Sequence, residues 1–229
     1  MKTALVTGAS SGIGKAIATA LLDQGMTVIG LCRSVDQLPD GVKPLACDLR
    51  DESAIRSAFE TLEKLDIMVN SAGLAYLSRI CDGNPSNWEE MWRVNVHALG
   101  LCSQLSLALF PEEGGHILNL SSMSGHRVPP TGGFYASTKF AVRAVSEALR
   151  AELKNTGNKT RISCLSPGFV DTPLLDKYFA GREDQLAETR ANIDMLTPEA
   201  IADAALHILT SPASVEINDV LLRSADQAI

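Results

Sequence analysis

The chain of 229 residues carries 20 basic and 27 acidic residues, for a formal net charge of −7. This balance argues against the basic surface that binds nucleic acid or anionic lipid, and no run approaches the 18 apolar residues of a membrane span. The apolar stretch after Met1-Lys2 is too short for a secretory signal peptide. The five cysteines are scattered and lack Cys-x-x-Cys spacing, which favours reduced thiols over disulfides or a zinc site. We therefore expect a cytoplasmic protein with no metal site and no nucleic-acid or membrane partner.

Short β-like runs alternate with helical stretches along the whole chain. The predicted strands are Thr3–Thr7, Thr27–Leu31, Lys43–Cys47, Leu65–Val69, His116–Leu120, Arg161–Ser166 and Glu216–Leu222. The predicted helices are Gly12–Gln24, Asp51–Lys64, Ser86–Phe110, Tyr135–Asn155 and Pro198–Thr210. Apolar strands separated by helices predict βαβ units with right-handed crossovers, and hence an α/β fold in which helices cover both faces of a parallel sheet.

No internal repeat, low-complexity tract or flexible linker divides the sequence, so we expect a single domain over residues 1–229. The least regular stretches are 72–85, 123–134 and 167–196. Each follows a predicted strand, and open α/β sheets bind their ligands at the carboxyl ends of the strands. These three stretches are therefore the candidate substrate loops.

A glycine-rich turn joins the first strand to the first helix, with the sequence Thr7-Gly8-Ala9-Ser10-Ser11-Gly12-Ile13-Gly14. Glycines at such a turn let the backbone approach a diphosphate, and the helix N-terminus offers free N–H groups. A P-loop is the alternative, because Gly14-Lys15 resembles its Gly-Lys pair. However, Gly8 lies six residues before Gly14 instead of five, and Ala16 replaces the metal-binding Ser or Thr. A turn that binds nothing is the remaining alternative.

The end of the second strand indicates which dinucleotide is used. An acidic residue there would bind the ribose hydroxyls of NAD, whereas an arginine would accommodate the 2′-phosphate of NADP. Arg33 and Ser34 occupy this place, and no acidic residue precedes Asp36. Arg33 could bind a phosphate with two hydrogen bonds, or it could be an ordinary surface arginine. Asp48, after the third strand, could accept from the adenine amino group or cap the helix that follows.

The helix at 135–155 carries a lysine on an otherwise largely apolar face, formed by Tyr135, Lys139, Val142, Ser146, Leu149 and Leu153. A buried lysine is rare unless it is paired or functional. An ammonium one turn from Tyr135 would lower the pKa of the phenol from its usual value near 10 and favour proton transfer. The alternative is a lysine that extends to solvent beside a core tyrosine.

Three further features accompany this pair. Ser121 and Ser122 follow the fifth predicted strand, where a substrate oxygen could be polarised. Asn95 is the polar member of an apolar helical stripe, and a buried amide needs hydrogen-bond partners such as an ordered water. The segment Ser166–Pro173 follows the sixth strand, where backbone groups could bind a flat carboxamide.

These motifs together resemble the short-chain dehydrogenase/reductase family, over essentially the whole chain. Thr7-Gly8-x-x-x-Gly12-Ile13-Gly14, Asn70-Ser71-Ala72-Gly73, Asn95, Ser122, Tyr135-x-x-x-Lys139 and Pro167-Gly168 occur in the family's order and approximate spacing. The resemblance implies a seven-stranded, doubly wound Rossmann-type sheet. It also implies that Tyr135 is the general acid/base, that Lys139 binds the nicotinamide ribose and that Ser122 polarises the substrate carbonyl. Asn95 would hold a proton-relay water, and Val170 and Thr172 would meet the carboxamide.

The cofactor expected from these residues and from the resemblance is NADP(H). The residues expected to contact it are Gly8, Ser10, Ser11, Gly12, Ile13, Gly14, Arg33, Ser34, Asp48, Leu49, Asn70, Ala72, Gly73, Tyr135, Lys139, Pro167, Gly168, Val170 and Thr172. The family implies a homodimer or homotetramer assembled through the helices at 86–110 and 135–155. The sequence departs from the family at Ser71, where a second Asn is common, and in the short segment from Arg33 to Asp48, which predicts a stub in place of a helix.

The substrate is expected to be a small alcohol or carbonyl compound. Leu174, Leu175, Tyr178 and Phe179 could form an apolar lid, while Arg79, Arg127 and Arg182 could bind an anion or simply be solvated. The ending Val215–Arg223 resembles a subgroup that acts on 3-hydroxy acids, small carbonyls or steroids. An epimerase or dehydratase usually has a larger C-terminal domain. A non-catalytic NADP(H)-sensing or interaction protein, the other alternative, typically lacks the tyrosine or the lysine.

Overall fold

The computed structural model describes residues 1–129 and 132–227. In these ranges the strands are β1 (Thr3–Thr7), β2 (Thr27–Cys32), β3 (Lys43–Ala46), β4 (Ile67–Asn70), β5 (His116–Leu120), β6 (Arg161–Pro167) and β7 (Asp219–Leu222). They form one seven-stranded sheet in the order β3-β2-β1-β4-β5-β6-β7, and every pair is parallel. The predicted doubly wound sheet is confirmed. The strand order reverses between β1 and β4, and ligands bind beside such a reversal in open α/β sheets.

Helices cover both faces of this sheet. They are α1 (Gly12–Asp23), α2 (Glu52–Glu60), α3 (Pro85–Trp92), α4 (Leu99–Leu107), α5 (Gly133–Asn155), α6 (Pro173–Tyr178), α7 (Glu183–Asn192) and α8 (Pro198–Thr210). Successive residues of β1 serve opposite faces, as the pleat of a strand requires. Ala4 and Val6 belong to the core beneath α1 and α8, whereas Leu5 belongs to the core beneath α2 and α4.

The helix predicted at 86–110 is not continuous. A π-helical segment, Arg93–Ala98, separates α3 from α4. Single π-helical turns inside α-helices are frequent at functional sites, and this one contains Asn95. The helix predicted at 51–64 is also shorter than expected and ends at Glu60.

Residues 167–196 contain α6 and α7, although the sequence predicted an irregular loop there. In α7 the sequence EDQLAETRAN buries Leu186 but has no further apolar residue at helical spacing. An amphipathic pattern was therefore absent, and the helix could not be recognised from periodicity.

The connection between β2 and β3 is a stub, as predicted, with one 3₁₀ turn at Val35–Gln37. Gly30 of β2 leaves room for a short connection from β2 to β3 that contains no α-helix. A Cβ on this glycine would lie 2.5 Å from Leu38 Cδ2 and 2.9 Å from Val42 Cγ1. The connecting loop thus packs its apolar side chains directly on the strand.

No helix within residues 1–129 and 132–227 is both long and apolar enough to cross a membrane. Two parts of the predictions lie outside the described residues, namely positions 130–131 of the candidate loop at 123–134 and the last two positions of the expected domain.

Candidate active site

A cleft of about 420 Å³ lies at the carboxyl ends of the strands, among the described residues. Its volume falls within the usual range for sites of small molecules and cofactors. The glycine-rich turn, the end of β2, the segment after β4, the first turns of α5 and the segment after β6 all contribute to its wall. The topology thus brings together segments that are far apart in the sequence.

The glycine-rich turn packs too closely for side chains. Gly8 has a φ of +69°, and a Cβ there would lie 2.9 Å from the Cα of Ala72. At Gly14 a Cβ would lie 2.4 Å from the carbonyl oxygen of Gly8. No described side chain caps α1 at Ser11, so the N–H groups of its first turn are open toward the cleft. This geometry suits a phosphate group.

Thr7 fixes the segment after β4 against this turn, a role the sequence did not reveal. Its hydroxyl accepts hydrogen bonds from the backbone N–H of Ser71 at 3.1 Å and of Ala72 at 3.0 Å. Ala72 and Gly73 consequently line the cleft beside the glycine turn.

Asn70, predicted to contact the cofactor, is not among the described residues that line the cleft. Its buried amide instead donates to Asn119 Oδ1 at 2.8 Å and to Ser103 Oγ at 3.0 Å. Asn119 in turn donates to Ser146 Oγ at 2.8 Å. The side chain of Asn70 therefore satisfies a polar network inside the core, between β4, β5 and the helices behind them, and its contact with the cofactor stays a prediction.

The far end of the cleft is lined by Arg33, Ser34, Asp48 and Leu49, the residues expected to contact the cofactor there, and also by Arg50. The Arg50 guanidinium binds the Asp48 carboxylate, with Nη2 2.6 Å from Oδ2 and Nε 3.0 Å from Oδ1. This hydrogen-bonded pairing lowers the pKa of Asp48 to about 2. Asp51 is the residue that caps α2, accepting from the N–H groups of Ser53 and Ala54. Asp48 is thus not the helix cap.

Tyr135, Lys139 and Ser122 meet at the floor of the cleft. Ser122 begins the 3₁₀ turn Met123–Gly125 after β5, and its Oγ accepts from the N–H of Ser124 at 3.1 Å. The Ser122 hydroxyl lies near enough to the Tyr135 phenol to influence its ionisation, and it donates to the Pro167 carbonyl oxygen at 3.5 Å. Lys139 Nζ donates to the carbonyl oxygen of Leu120 at 2.9 Å and lies 5.8 Å from the centroid of the Tyr135 ring.

Burial is the main cause of the pKa shifts of Tyr135 and Lys139. It raises the pKa of Tyr135 well above its usual value near 10, although the neighbouring Ser122 hydroxyl acts in the opposite direction. It lowers the pKa of Lys139 to about 8. The pKa of Tyr135 thus shifts in the direction opposite to the lowering expected from Lys139, whose ammonium is directed at the Leu120 carbonyl.

Asn95 lies behind this floor and is not among the described residues that line it, being 1% exposed. Its Oδ1 accepts from the N–H of Leu74 at 2.7 Å, and its Nδ2 donates to the Leu74 carbonyl and to Thr138 Oγ1. A Cβ on Gly73 would lie 3.5 Å from Asn95 Oδ1 and 3.8 Å from Lys139 Nζ. Asn95 therefore ties the π-helical segment, the segment after β4 and α5 together around Lys139.

Pro167, Gly168, Val170 and Thr172 line the next part of the cleft. Leu196 forms an isolated parallel bridge with Val170 by donating to Phe169 O at 3.0 Å and accepting from Asp171 N at 2.9 Å. In this pattern the N–H and C=O of Val170 itself are directed away from Leu196, as on the free side of a strand. Thr172 brings this segment against the glycine-rich turn, because a Cβ on Gly12 would lie 3.2 Å from the Cγ2 atom of Thr172.

Aromatic and apolar side chains cover the remaining side of the cleft. Tyr178 packs edge-on against Tyr135 with ring centroids 5.7 Å apart, and its carbonyl accepts from the N–H of Leu77 at 3.2 Å. The predicted lid residues Leu174, Leu175 and Phe179 also line this part. Among the described residues, Arg127 and Lys177 add positive charge to this part of the cleft wall, whereas Arg79 and Arg182 do not line the cleft.

The chain resembles known proteins over almost its full length. The family model described as short chain dehydrogenase matches residues 2–183. Dehydrogenase/reductase SDR family member 11 from Bos taurus is 38% identical over 247 residues, covering 99% of this chain and 97% of that protein.

Two solved structures share the fold closely. The closed form of a serine dehydrogenase complexed with NADP+ matches with a TM-score of 0.92 and 30% identity, covering 99% of this chain and 96% of the other. An alcohol dehydrogenase from the archaeon Thermococcus sibiricus, complexed with 5-hydroxy-NADP, matches with a TM-score of 0.86 and 29% identity, covering 100% and 99%. The chain therefore belongs to the short-chain dehydrogenase/reductase family of oxidoreductases.

Proposed function

We propose that this protein is an NADP(H)-dependent carbonyl reductase or alcohol dehydrogenase that acts on a small secondary alcohol or ketone. The observation that carries the proposal is that Ser122, Tyr135 and buried Lys139 come together at the floor of one cleft. A cleft that begins at an uncapped helix N-terminus and ends at these residues can hold a dinucleotide with its reactive end beside a proton donor.

The residues present fit a nicotinamide dinucleotide. Gly8 and Gly14 leave no room for a Cβ, and the open first turn of α1 would hold the diphosphate, together with Ser10, Ser11, Gly12 and Ile13. Ala72 and Gly73 would flank the adenosine ribose and the diphosphate. Lys139 would bind the nicotinamide ribose, and the backbone of Val170 would bind the carboxamide. When bound, the cofactor supplies or accepts the hydride.

Tyr135 is the proposed general acid/base. Because burial keeps its phenol protonated at neutral pH, it is ready to donate a proton to a carbonyl oxygen in the direction of reduction. Ser122 would hydrogen-bond the same oxygen and so polarise the carbonyl. Lys139 would keep a positive charge near the phenolate that forms, and Asn95 would hold the surrounding backbone in place.

The proposed preference for NADP(H) rests on the end of β2. Arg33 and Ser34 line the cleft there and offer a cation and a hydroxyl to a 2′-phosphate. The nearest lining carboxylate, Asp48, is paired with Arg50, so its charge opposes a phosphate less than a free carboxylate would. The bound NADP+ and 5-hydroxy-NADP in the two structural relatives support this choice.

The substrate class proposed is a small alcohol or carbonyl compound. Serine dehydrogenase, one of the structural relatives, is named for a substrate that carries a carboxylate. Arg127 lines the cleft beside the 3₁₀ turn of Ser122 and could recognise such a group.

We propose a homodimer or homotetramer in the cytoplasm. Exposed Trp92 on α3 and Phe140 on α5 support assembly through these helices.

The proposal is tested by following NADPH absorbance with a panel of small ketones, oxo acids and aldehydes. We expect turnover with at least one ketone or oxo acid, and the reverse reaction with its alcohol and NADP+. Binding of NADPH without turnover of any compound would instead favour the NADP(H)-sensing alternative.

A further inference from the structure

A turn at the C-terminal end of the described chain packs against the cleft wall. This turn, Arg223–Gln227, follows β7, and Gln227 lines the cleft although it is only 4% exposed. The Gln227 side chain reaches the segment after β6, where its Oε1 accepts a hydrogen bond from the N–H of Phe169 at 2.9 Å. Because an N–H can bond only to an acceptor, the orientation of the amide is fixed by this contact.

Several further contacts hold this arrangement in place. A Cβ on Gly168 would lie 2.2 Å from Gln227 Oε1, so glycine at this position is what allows the amide to approach. The Arg223 guanidinium donates to the Gln227 carbonyl oxygen, and the Gln227 N–H donates to Ser224 O at 3.1 Å. The turn is therefore closed on itself and presents one amide to the backbone of residues 168–169.

The amide completes the hydrogen bonding of the segment that leads to Val170. Gly168 N donates to Leu222 O at 2.8 Å, and Phe169 O accepts from Leu196 N at 3.0 Å. Phe169 N remains, and Gln227 supplies its partner. The Phe169 carbonyl and the Asp171 N–H, both bonded to Leu196, lie on the side of the backbone away from the free N–H and C=O of Val170, and the bond from Phe169 N–H to Gln227 fixes the peptide that precedes them.

We propose that Gln227 is a positioning residue for the nicotinamide end of the cleft. By holding the Phe169 N–H, it orients the Val170 backbone toward the carboxamide of the cofactor. It acts through the backbone, with no contact to the reacting atoms. This inference rests on the proposed function, since it assumes that a nicotinamide binds beside Val170.

The test compares Gln227→Met with wild type. Methionine keeps the length and volume of the side chain but offers no comparable acceptor to the Phe169 N–H. Dissociation constants are measured for NADP+ and for 2′-phospho-ADP-ribose, which has the adenosine and diphosphate portions but lacks the nicotinamide. Gln24→Met, an exposed position at the end of α1, is the matched control. Thermal unfolding is recorded for every variant.

We expect Gln227→Met to weaken NADP+ binding roughly three- to tenfold, the size of one lost hydrogen bond. Affinity for 2′-phospho-ADP-ribose should be unchanged, and Gln24→Met should match wild type for both ligands. Equal weakening of the two ligands, or no weakening of either, would overturn the inference, because a merely structural role does not distinguish them. Failure of wild type to bind NADP+ at all would instead overturn the proposed function.

Discussion

The Ser122 hydroxyl lies beside the Tyr135 phenol at the floor of the cleft, although Ser122 belongs to the turn after β5 and Tyr135 to α5. This placement puts two hydroxyl groups side by side, where both can reach one oxygen atom of a bound substrate. A phenol kept protonated by burial and a neighbouring serine hydroxyl form an arrangement suited to protonating a carbonyl oxygen.

Replacing Tyr135 by Phe removes the transferable proton and little else. We expect kcat to fall by at least about 10²-fold, the lower bound for loss of a general acid/base, while the dissociation constant of NADPH stays within about twofold. Steady-state kinetics and fluorescence titration measure the two quantities. Tyr76→Phe is the control, because the Tyr76 hydroxyl donates to Glu90 at 2.8 Å, away from the floor of the cleft. Retention of more than about a tenth of the rate by Tyr135→Phe would contradict the assignment.

Lys139→Met should reduce both turnover and cofactor affinity, since the ammonium serves the ribose and the phenol together. Burial lowers the pKa of Lys139 to about 8, so the ammonium form is lost as the pH rises through that region. We therefore expect the NADPH affinity of wild type to decline between pH 7 and about 9, and that decline to be absent from Lys139→Met. An unchanged affinity in the variant at pH 7 would exclude the ribose contact.

The sequence predicted the fold well because the strands are apolar, short and separated by helices of clear periodicity. All seven strands are present within a few residues of the predicted ends. The site was predicted where function depends on local motifs, such as the glycine turn and Tyr135-x-x-x-Lys139. It was not predicted where the role of a residue depends on which side chains lie beside it in the folded protein. The side chain of Asn70, at the end of a strand, could face either side of the sheet. The register of β4 directs it into the core, where it donates to Asn119.

The same limit explains Arg50 and Gln227. Arg50 has no distinctive spacing, and its contact with Glu90 of α3 arises only when the chain is folded. Gln227 lies 58 residues beyond Phe169, and no sequence pattern signals a hydrogen bond to a backbone N–H at that separation. Sequence periodicity identifies elements, whereas such contacts arise from packing.

Buried His116 should make the protein sensitive to acid. Its pKa is lowered to about 3, chiefly by desolvation and also by the charges of Arg161 and Lys2. The unfolded chain takes up a proton near pH 6.5 and the folded chain does not, so stability falls as the pH drops below about 6.5. Between pH 6.5 and 5 this amounts to about 2 kcal/mol.

Urea unfolding at several pH values measures this effect against His116→Gln. Glutamine can keep a hydrogen bond to Ser163 Oγ, which lies 2.9 Å from Nε2 of the histidine. We expect the variant to be less stable at pH 7.5 but to lose less free energy of unfolding on acidification. Carboxylates contribute equally to both proteins, so identical slopes would exclude His116 as the source.

Arg127 should matter for substrates that carry a carboxylate. We expect Arg127→Met to lower kcat/KM for an oxo acid by about tenfold and to leave that for its methyl ester nearly unchanged, because only the acid can form a charge-assisted hydrogen bond with the guanidinium. The comparison uses the same ketone in its acid and ester forms. A wild-type enzyme with no preference for the acid would show that Arg127 has another role.

The choice of cofactor rests on the fewest residues. Arg33 and Ser34 offer a cation and a hydroxyl at the place where the 2′-phosphate of NADP(H) would lie, and charge-assisted hydrogen bonds contribute roughly 1.5–3 kcal/mol each. One such bond corresponds to a preference of roughly 10- to 150-fold, so we expect wild-type kcat/KM to favour NADPH over NADH by at least tenfold. Arg33→Asp should reverse the preference mainly through KM, because the contact is present equally in the ground and transition states. Arg56→Asp, on the exposed face of α2, introduces the same change of charge elsewhere and should keep the wild-type preference. The short connection after β2 holds Arg33 close to the strand end, and equal use of the two cofactors by wild type would mean that it does not bind the phosphate firmly.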